Sequence, residues 1–156
     1  MRHATLIAVL LIAVGCEPAP PPIEQYNGKT REEWVQVGND PSGDHATAAA
    51  ALGHFKSSDA SASVLRTLMG DKDIQVKLTA AESYLTIGGK AADVVPCLRG
   101  VIADKQAWGH TARLARLIAR SGPAANELRA DLTRKQEEAP NSQFKRWQEC
   151  LDAIKG

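Results

Sequence analysis

The chain has 156 residues, with nineteen basic and eighteen acidic side chains and a formal charge of +1. That balance excludes bulk electrostatic attraction to nucleic acid or anionic lipid as the basis of its activity. Apolar residues make up 44% of the chain and aromatics only 4%, a composition suited to helices that approach one another closely.

The first stretch is a targeting segment. Arg2 and His3 form a short basic start, Ala4 to Val14 is apolar, and Gly15-Cys16 follows. This run is too short to span a bilayer, which needs about twenty apolar residues, and it has the layout of a secretory signal. With the cysteine directly after glycine, residues 1–15 resemble the signal of a bacterial lipoprotein. That resemblance implies that Cys16 receives lipid and becomes the first residue of the mature chain. Ala13 stands where that family usually has leucine, and Ala13-Val14-Gly15 also suits ordinary signal peptidase, which would leave Cys16 unlipidated. Glu17-Pro18-Ala19-Pro20-Pro21-Pro22 cannot be helical, because consecutive prolines lack backbone donors and fix φ. Residues 16–25 therefore read as an anchor site and an extended spacer of about 3 Å per residue. Glutamate after the cysteine resembles lipoproteins sent to the outer membrane, which implies an envelope protein anchored there and facing the periplasm. Removing the signal takes away one charged residue, Arg2, so the mature chain carries equal numbers of each sign.

Residues 26–156 read as helices. Tyr26-Asn27-Gly28-Lys29 is a turn, with Asn-Gly at the positive-φ positions, and Thr30 with Glu33 forms a capping box for the first helix. Trp34, Val35 and Val37 make its buried stripe, with Trp34 capping the end of the core. Asn39 to Gly43 breaks the chain, and an alanine-rich helix runs from about Asp44 to Phe55. Ser57 to Ser63 leads into a helix marked by Val64, Leu65, Leu68 and Met69. Asp71 to Asp73 ends that helix and caps the next, which closes at Gly88. On this helix Val76, Ala80, Tyr84 and Ile87 share one side, and Ile74, Leu78, Ala81 and Leu85 an adjoining one. Two apolar sides suit a helix packed between its own partner and the next pair. Pro96 falls early in the following helix, where its missing N–H costs little, and Val94, Leu98, Val101 and Ile102 form the stripe. A helix from about Gln106 to Arg120 stops at Ser121-Gly122-Pro123. Leu128 and Leu132 mark the next helix; Phe144, Trp147, Leu151 and Ile154 mark the last.

These helices repeat. Tyr84-Leu85-Thr86-Ile87 lies over Leu52-Gly53-His54-Phe55 at an offset of thirty-two, and Gly88 over Gly122 at thirty-four. Four units of this length, each with two apolar helices, predict an all-α fold, an α-solenoid of about four antiparallel helix pairs. Asp71-x-Asp73 followed by Val76-Lys77, Ala80-Ala81 and Ile87-Gly88 resembles the second helix of a HEAT repeat, and Val94-Val95-Pro96-Cys97-Leu98 the first helix of the next one. The resemblance covers about residues 26 to 156 and implies a ladder in which Lys77 reaches Asp71 or Asp73. His45 and Thr111 do not match that ladder position.

Nothing in the chain reads as enzymatic. His45, His54 and His110 are dispersed over different units with no partner at metal-ligand spacing, no glycine loop cradles phosphate, and no cofactor is implied. Cys97 and Cys150 are expected as two independent buried thiols, with pairing in an oxidising compartment the alternative. The candidate binding residues are Arg113, Arg116 and Arg120, which share one helix face, with Thr79 and Glu82 one repeat earlier. Spacings of three and four align the three guanidinium groups, which suits bidentate contact with carboxylate or phosphate. Thr47, His54, Glu82 and Glu149 are expected to form the rim. The expected function is a membrane-anchored interaction or scaffold module that docks an unidentified protein on the concave face of a short solenoid, with no nucleic-acid partner. The alternatives are a HEAT-like enzyme, lyase or assembly factor of the envelope, and a fragment that assembles with longer solenoids.

Overall fold

A computed structural model describes residues 24–154. The signal, Cys16 and the proline-rich segment to residue 23 lie outside the described residues, as do Lys155 and Gly156. The described part is mostly helical: α1 Arg31–Asn39, α2 His45–Leu52, α3 Asp59–Leu68, α4 Ile74–Thr86, α5 Ala91–Ala103, α6 Thr111–Ser121, α7 Arg129–Glu138 and α8 Asn141–Ala153. Short 3-10 helices cover Ala107–His110 and Gly122–Leu128, and a small antiparallel hairpin joins β1 Gln25–Tyr26 to β2 Lys29–Thr30.

The predicted turn is the tip of that hairpin. Asn27 and Gly28 both have positive φ, 50° and 75°, the geometry that matches strand twist in a two-residue loop. The hairpin covers one end of the core. The Trp34 indole N–H donates to the Tyr26 carbonyl at 2.9 Å, and the Lys29 ammonium sits 5.6 Å from the Trp34 ring centre. Thr30 and Glu33 form the predicted capping box at α1. Asp44, Ser58 and Asp73 likewise accept backbone N–H bonds at the starts of α2, α3 and α4. The starts of α5 to α8 have no side-chain cap and rest on packing instead.

From α1 to α6 each helix packs on its chain neighbour, as α7 does on α8, while α6 and α7 are joined through the 3-10 segment Gly122–Leu128; contacts also skip one: α1 meets α3, α2 meets α4, α4 meets α6, α5 meets α7 and α6 meets α8. The even-numbered helices α2, α4, α6 and α8 thus touch in succession, whereas among the odd-numbered ones α1 meets α3 and α5 meets α7, and one apolar cluster runs through all of them. Leu52, Leu65, Leu78, Leu98, Leu114, Leu128 and Trp147 are fully buried within it, and each buried leucine contributes about 1.5–3 kcal/mol. The second helices approach closely because their contact residues are small. Ala48, Ala49 and Ala51 have no exposed surface, and a Cβ on Gly53 would lie 2.6 Å from Ser83 Oγ. Both apolar sides of α4 are buried, with Leu85 half-buried at the edge.

Four expectations are corrected. Residues Ala107–His110 form a 3-10 turn, so α6 begins at Thr111 instead of Gln106. The chain after Gly122 also passes through a 3-10 segment before α7 begins at Arg129. Phe144, predicted for the apolar stripe of α8, is 48% exposed; Cys150 is buried instead, beside Trp147 and Leu151. On α1, Val35 and Val37 are only partly covered, and Gly38 is buried where the helix meets Val64.

Candidate interaction face on α4 and α6

One turn after another, α4 presents Gln75, Thr79, Glu82 and Thr86 on a side that the core does not use. The adjoining side of α6 presents Arg113, Arg116 and Arg120. The structure brings all five candidate binding residues onto neighbouring helices, but it gives the three arginines different surroundings. Arg113 is gripped. Its Nε and Nη2 donate to Glu82 Oε2 at 3.1 and 2.7 Å, Nη2 also donates to Thr79 Oγ1 at 3.0 Å, and Nη1 donates to Gln75 Oε1 at 3.2 Å. Arg120 donates to Thr86 Oγ1 at 3.1 Å, a neutral acceptor whose own hydrogen goes to the Glu82 carbonyl. Arg116 is exposed and has no hydrogen bond or ion pair among the described residues. Thr79–Arg113 and Thr86–Arg120 are each separated by thirty-four residues, the offset by which the helices repeat. The three arginines of that row thus differ in their partners: Arg113 is a strut between α4 and α6, and Arg116 and Arg120 have no ion pair among the described residues.

The far edge of α6 was not foreseen. Trp108, in the 3-10 turn that leads into α6, is 50% exposed. Its carbonyl accepts a long 3.5 Å bond from Arg146 Nη1 on α8. Its only sequence signal is an aromatic residue just before a helix start, which is no more often a surface residue than a core one. Of the rim residues, Thr47 bonds its own helix cap Asp44, His54 stacks on Tyr26 at 4.2 Å, and Glu149 is exposed on α8. Thr47 and His54 are thus engaged at the hairpin end, leaving Glu149 beside the arginines' neighbour α8.

The implied ladder is also corrected. Lys77 forms no ion pair with Asp71 or Asp73 among the described residues; Asp71 is taken by His45, whose Nδ1 lies 2.7 Å from Asp71 Oδ2. His45 Nε2 lies 2.9 Å from the Asp40 carbonyl. Two acceptors, one on each ring nitrogen, favour the imidazolium, and the hydrogen bond to Asp71 followed by that to Asp40 raises the His45 pKa. Burial alone would raise the Asp71 carboxyl, but the Asp73 amide and the His45 ring outweigh it and lower its pKa. The histidine replaced the lysine at this junction, which a template match on residue type could not anticipate.

A second polar group, also missed, joins α3, α4 and α5. Arg66 Nε donates to the Tyr84 hydroxyl at 3.1 Å, and that hydroxyl donates to Asp93. Tyr84 is buried to 2% exposure, so its ring serves the core while its oxygen reaches the surface. Cys97 and Cys150 are free and buried, as the independent reading had it. Each thiol donates to a carbonyl, of Lys77 and of Thr111, and desolvation pushes them up to about 11 and about 12. Among the described residues, no group of three or more histidines, cysteines or carboxylates is placed to hold a metal ion, and no helix is long and apolar enough to cross a membrane. Comparison of the chain with protein-family models, with curated proteins and with solved structures finds no match to any of them.

Proposed function

We propose that the protein is a lipid-anchored envelope module whose folded part is a short HEAT-like solenoid of about four helix pairs. In this reading it binds a protein partner on the face of its second helices, centred on α4 and α6. The observation that carries the reading is the division of labour among the arginines. Arg113 fixes α4 against α6 through Glu82 and Thr79, while Arg116 and Arg120 stand on the same face with no acidic partner among the described residues. A solvated helix face selected only for solubility would more often carry both signs interspersed. The row of even-numbered helices, each touching the next, supports a continuous surface of the kind solenoids use for binding. The anchor at Cys16 rests on the signal pattern of residues 1–15 and the spacer behind it.

The test is site-specific photo-crosslinking in intact cells. A crosslinker at Arg116 is expected to give a discrete adduct, whereas one at Arg134, exposed on α7, gives none. Equal, diffuse labelling from both positions would refute the interaction face. Palmitate incorporation lost in Cys16→Ala tests the anchor separately.

A further inference from the structure

The exposed strip of α6 has more character than a basic patch. Ala112, Arg116, Ala119 and Arg120 are all exposed and follow one another along a single side of α6, and the exposed Trp108 stands in the 3-10 turn that leads into that helix. Ala112 and Ala119 leave a low lane between the side chains that α4 and α8 contribute. The lane has an aromatic anchor at one end and, at the other, two guanidinium groups with no carboxylate partner among the described residues. On the α4 side the nearest acid, Glu82, is committed to Arg113. On the α8 side stand Arg146, bonded among the described residues only to the Trp108 carbonyl, with Lys145 and Glu149 exposed. Positive charge is thus in excess along this lane of a chain that is nearly neutral as a whole.

We infer that this strip binds a short acidic peptide segment in extended conformation, its carboxylates on Arg116 and Arg120 and an apolar side chain against Trp108. The inference deepens the proposed function and rests on its reading of the face. Geometry sets the spacing. Arg116 and Arg120 are one helical step of four residues apart, about 6 Å along the axis, which matches carboxylates at alternate positions of an extended chain, about 6.8 Å apart. Trp108 is three 3-10 steps of about 2 Å and five α-helical steps of about 1.5 Å from Arg116, about 13 Å along the chain axis, so the apolar residue sits four positions from the first acid. Trp and Arg are the residue types that most often dominate binding energy at such surfaces, and Arg pairs with carboxylate bidentately.

The probe is a fluorescein-labelled peptide Leu-Ser-Thr-Ser-Glu-Ser-Glu, titrated with the protein and followed by anisotropy. It is expected to bind, to weaken about tenfold or more in the double variant Arg116→Glu/Arg120→Glu, and to weaken as salt rises. Trp34 and Trp147 are buried, so a change in tryptophan emission on binding of the unlabelled peptide reports Trp108. Arg134→Gln, on α7 and paired with Asp131, removes a positive charge away from the lane and keeps the peptide affinity within about twofold. Equal binding of a peptide with both glutamates replaced by glutamine overturns the inference, as does indifference to the double reversal. Binding of phosphatidylglycerol vesicles with no binding of the peptide overturns it in favour of a lipid headgroup. A discrete adduct from position 116 in cells alongside a silent peptide would leave the proposed function standing and remove only the acidic ligand; peptide binding without an adduct would do the reverse.

Discussion

His45 shows how one side chain can tie two helix pairs together and make the tie depend on pH. Its ring bridges the Asp40 carbonyl, in the loop before α2, and the Asp71 carboxylate, in the loop before α4. The groups facing it are those two and its own helix cap Asp44, with Asp73 and Lys72 next to Asp71 in the opposing loop. Because the folded pKa of His45 is raised above its ordinary 6.5, the stabilisation is fully present below 6.5 and is lost as pH rises through the raised value. Asp71 works at the opposite end. Its lowered pKa makes its share present above the ordinary carboxylate value and lost as pH falls through the folded one. The account predicts that stability measured by urea unfolding declines from mildly acidic to mildly alkaline pH, and that His45→Gln flattens this limb. An NMR titration of the ring at or below 6.5 would contradict it. Arg113 provides a second test at this scale. Arg113→Ala should cost about 1–2 kcal/mol, because a half-buried charge-assisted cluster is lost, whereas Arg116→Ala should stay within about 0.5 kcal/mol. Chemical unfolding of the two variants side by side checks the difference.

Among the elements, α2 and α4 meet through the smallest residues in the core, and the tolerance there is correspondingly narrow. A Cβ on Gly53 would fall 2.6 Å from Ser83 Oγ and 2.9 Å from Ser83 Cβ. Gly53→Ala should therefore destabilise by about 1–3 kcal/mol through overpacking, and Ser83→Gly in the same chain should recover much of that loss. Additive effects of the two substitutions in thermal unfolding would show that α2 and α4 do not meet there. The buried thiols give a further handle on α5 and α8. With thiols pushed up to about 11 and about 12 by burial, Cys97 and Cys150 should react slowly with a maleimide at neutral pH, the fully buried Cys150 more slowly than Cys97, and both should react on unfolding. The helices themselves were legible because their signals are local: the Thr30–Glu33 capping box, the Asp73 cap, the period of α4 and the stop at Gly122 each depend on a few adjacent residues. The 3-10 turn at Ala107–His110 and the exposure of Phe144 were not, since both depend on what packs against the segment. The hairpin was half legible, with the Asn27-Gly28 tip in the sequence and its pairing, secured by the Trp34 bond to Tyr26, only in three dimensions.

For the whole molecule, the candidate residues Thr79, Glu82, Arg113, Arg116 and Arg120 were placed together by repeat arithmetic, and an offset of thirty-four does bring α4 and α6 into register. Arithmetic of that kind finds which residues are neighbours; it does not say which of them bond to each other, so the strut role of Arg113 and the His45–Asp71 tie had to come from geometry. Both are contacts between successive helix pairs, as is the Arg66–Tyr84–Asp93 group. These contacts tie α2 to the loop before α4, α4 to α6, and α3 through α4 to α5, and the proposed binding surface requires that the helix pairs be laid side by side in chain order. Spin labels at Ala46 on α2 and Lys145 on α8, both exposed, measure this by pulsed electron resonance. Three successive helix contacts at about 8–10 Å each put the two backbones about 25 Å apart in an open array. A distance in that range supports the account, and one of about 10–15 Å, with the first and last pairs folded back on each other, would contradict it.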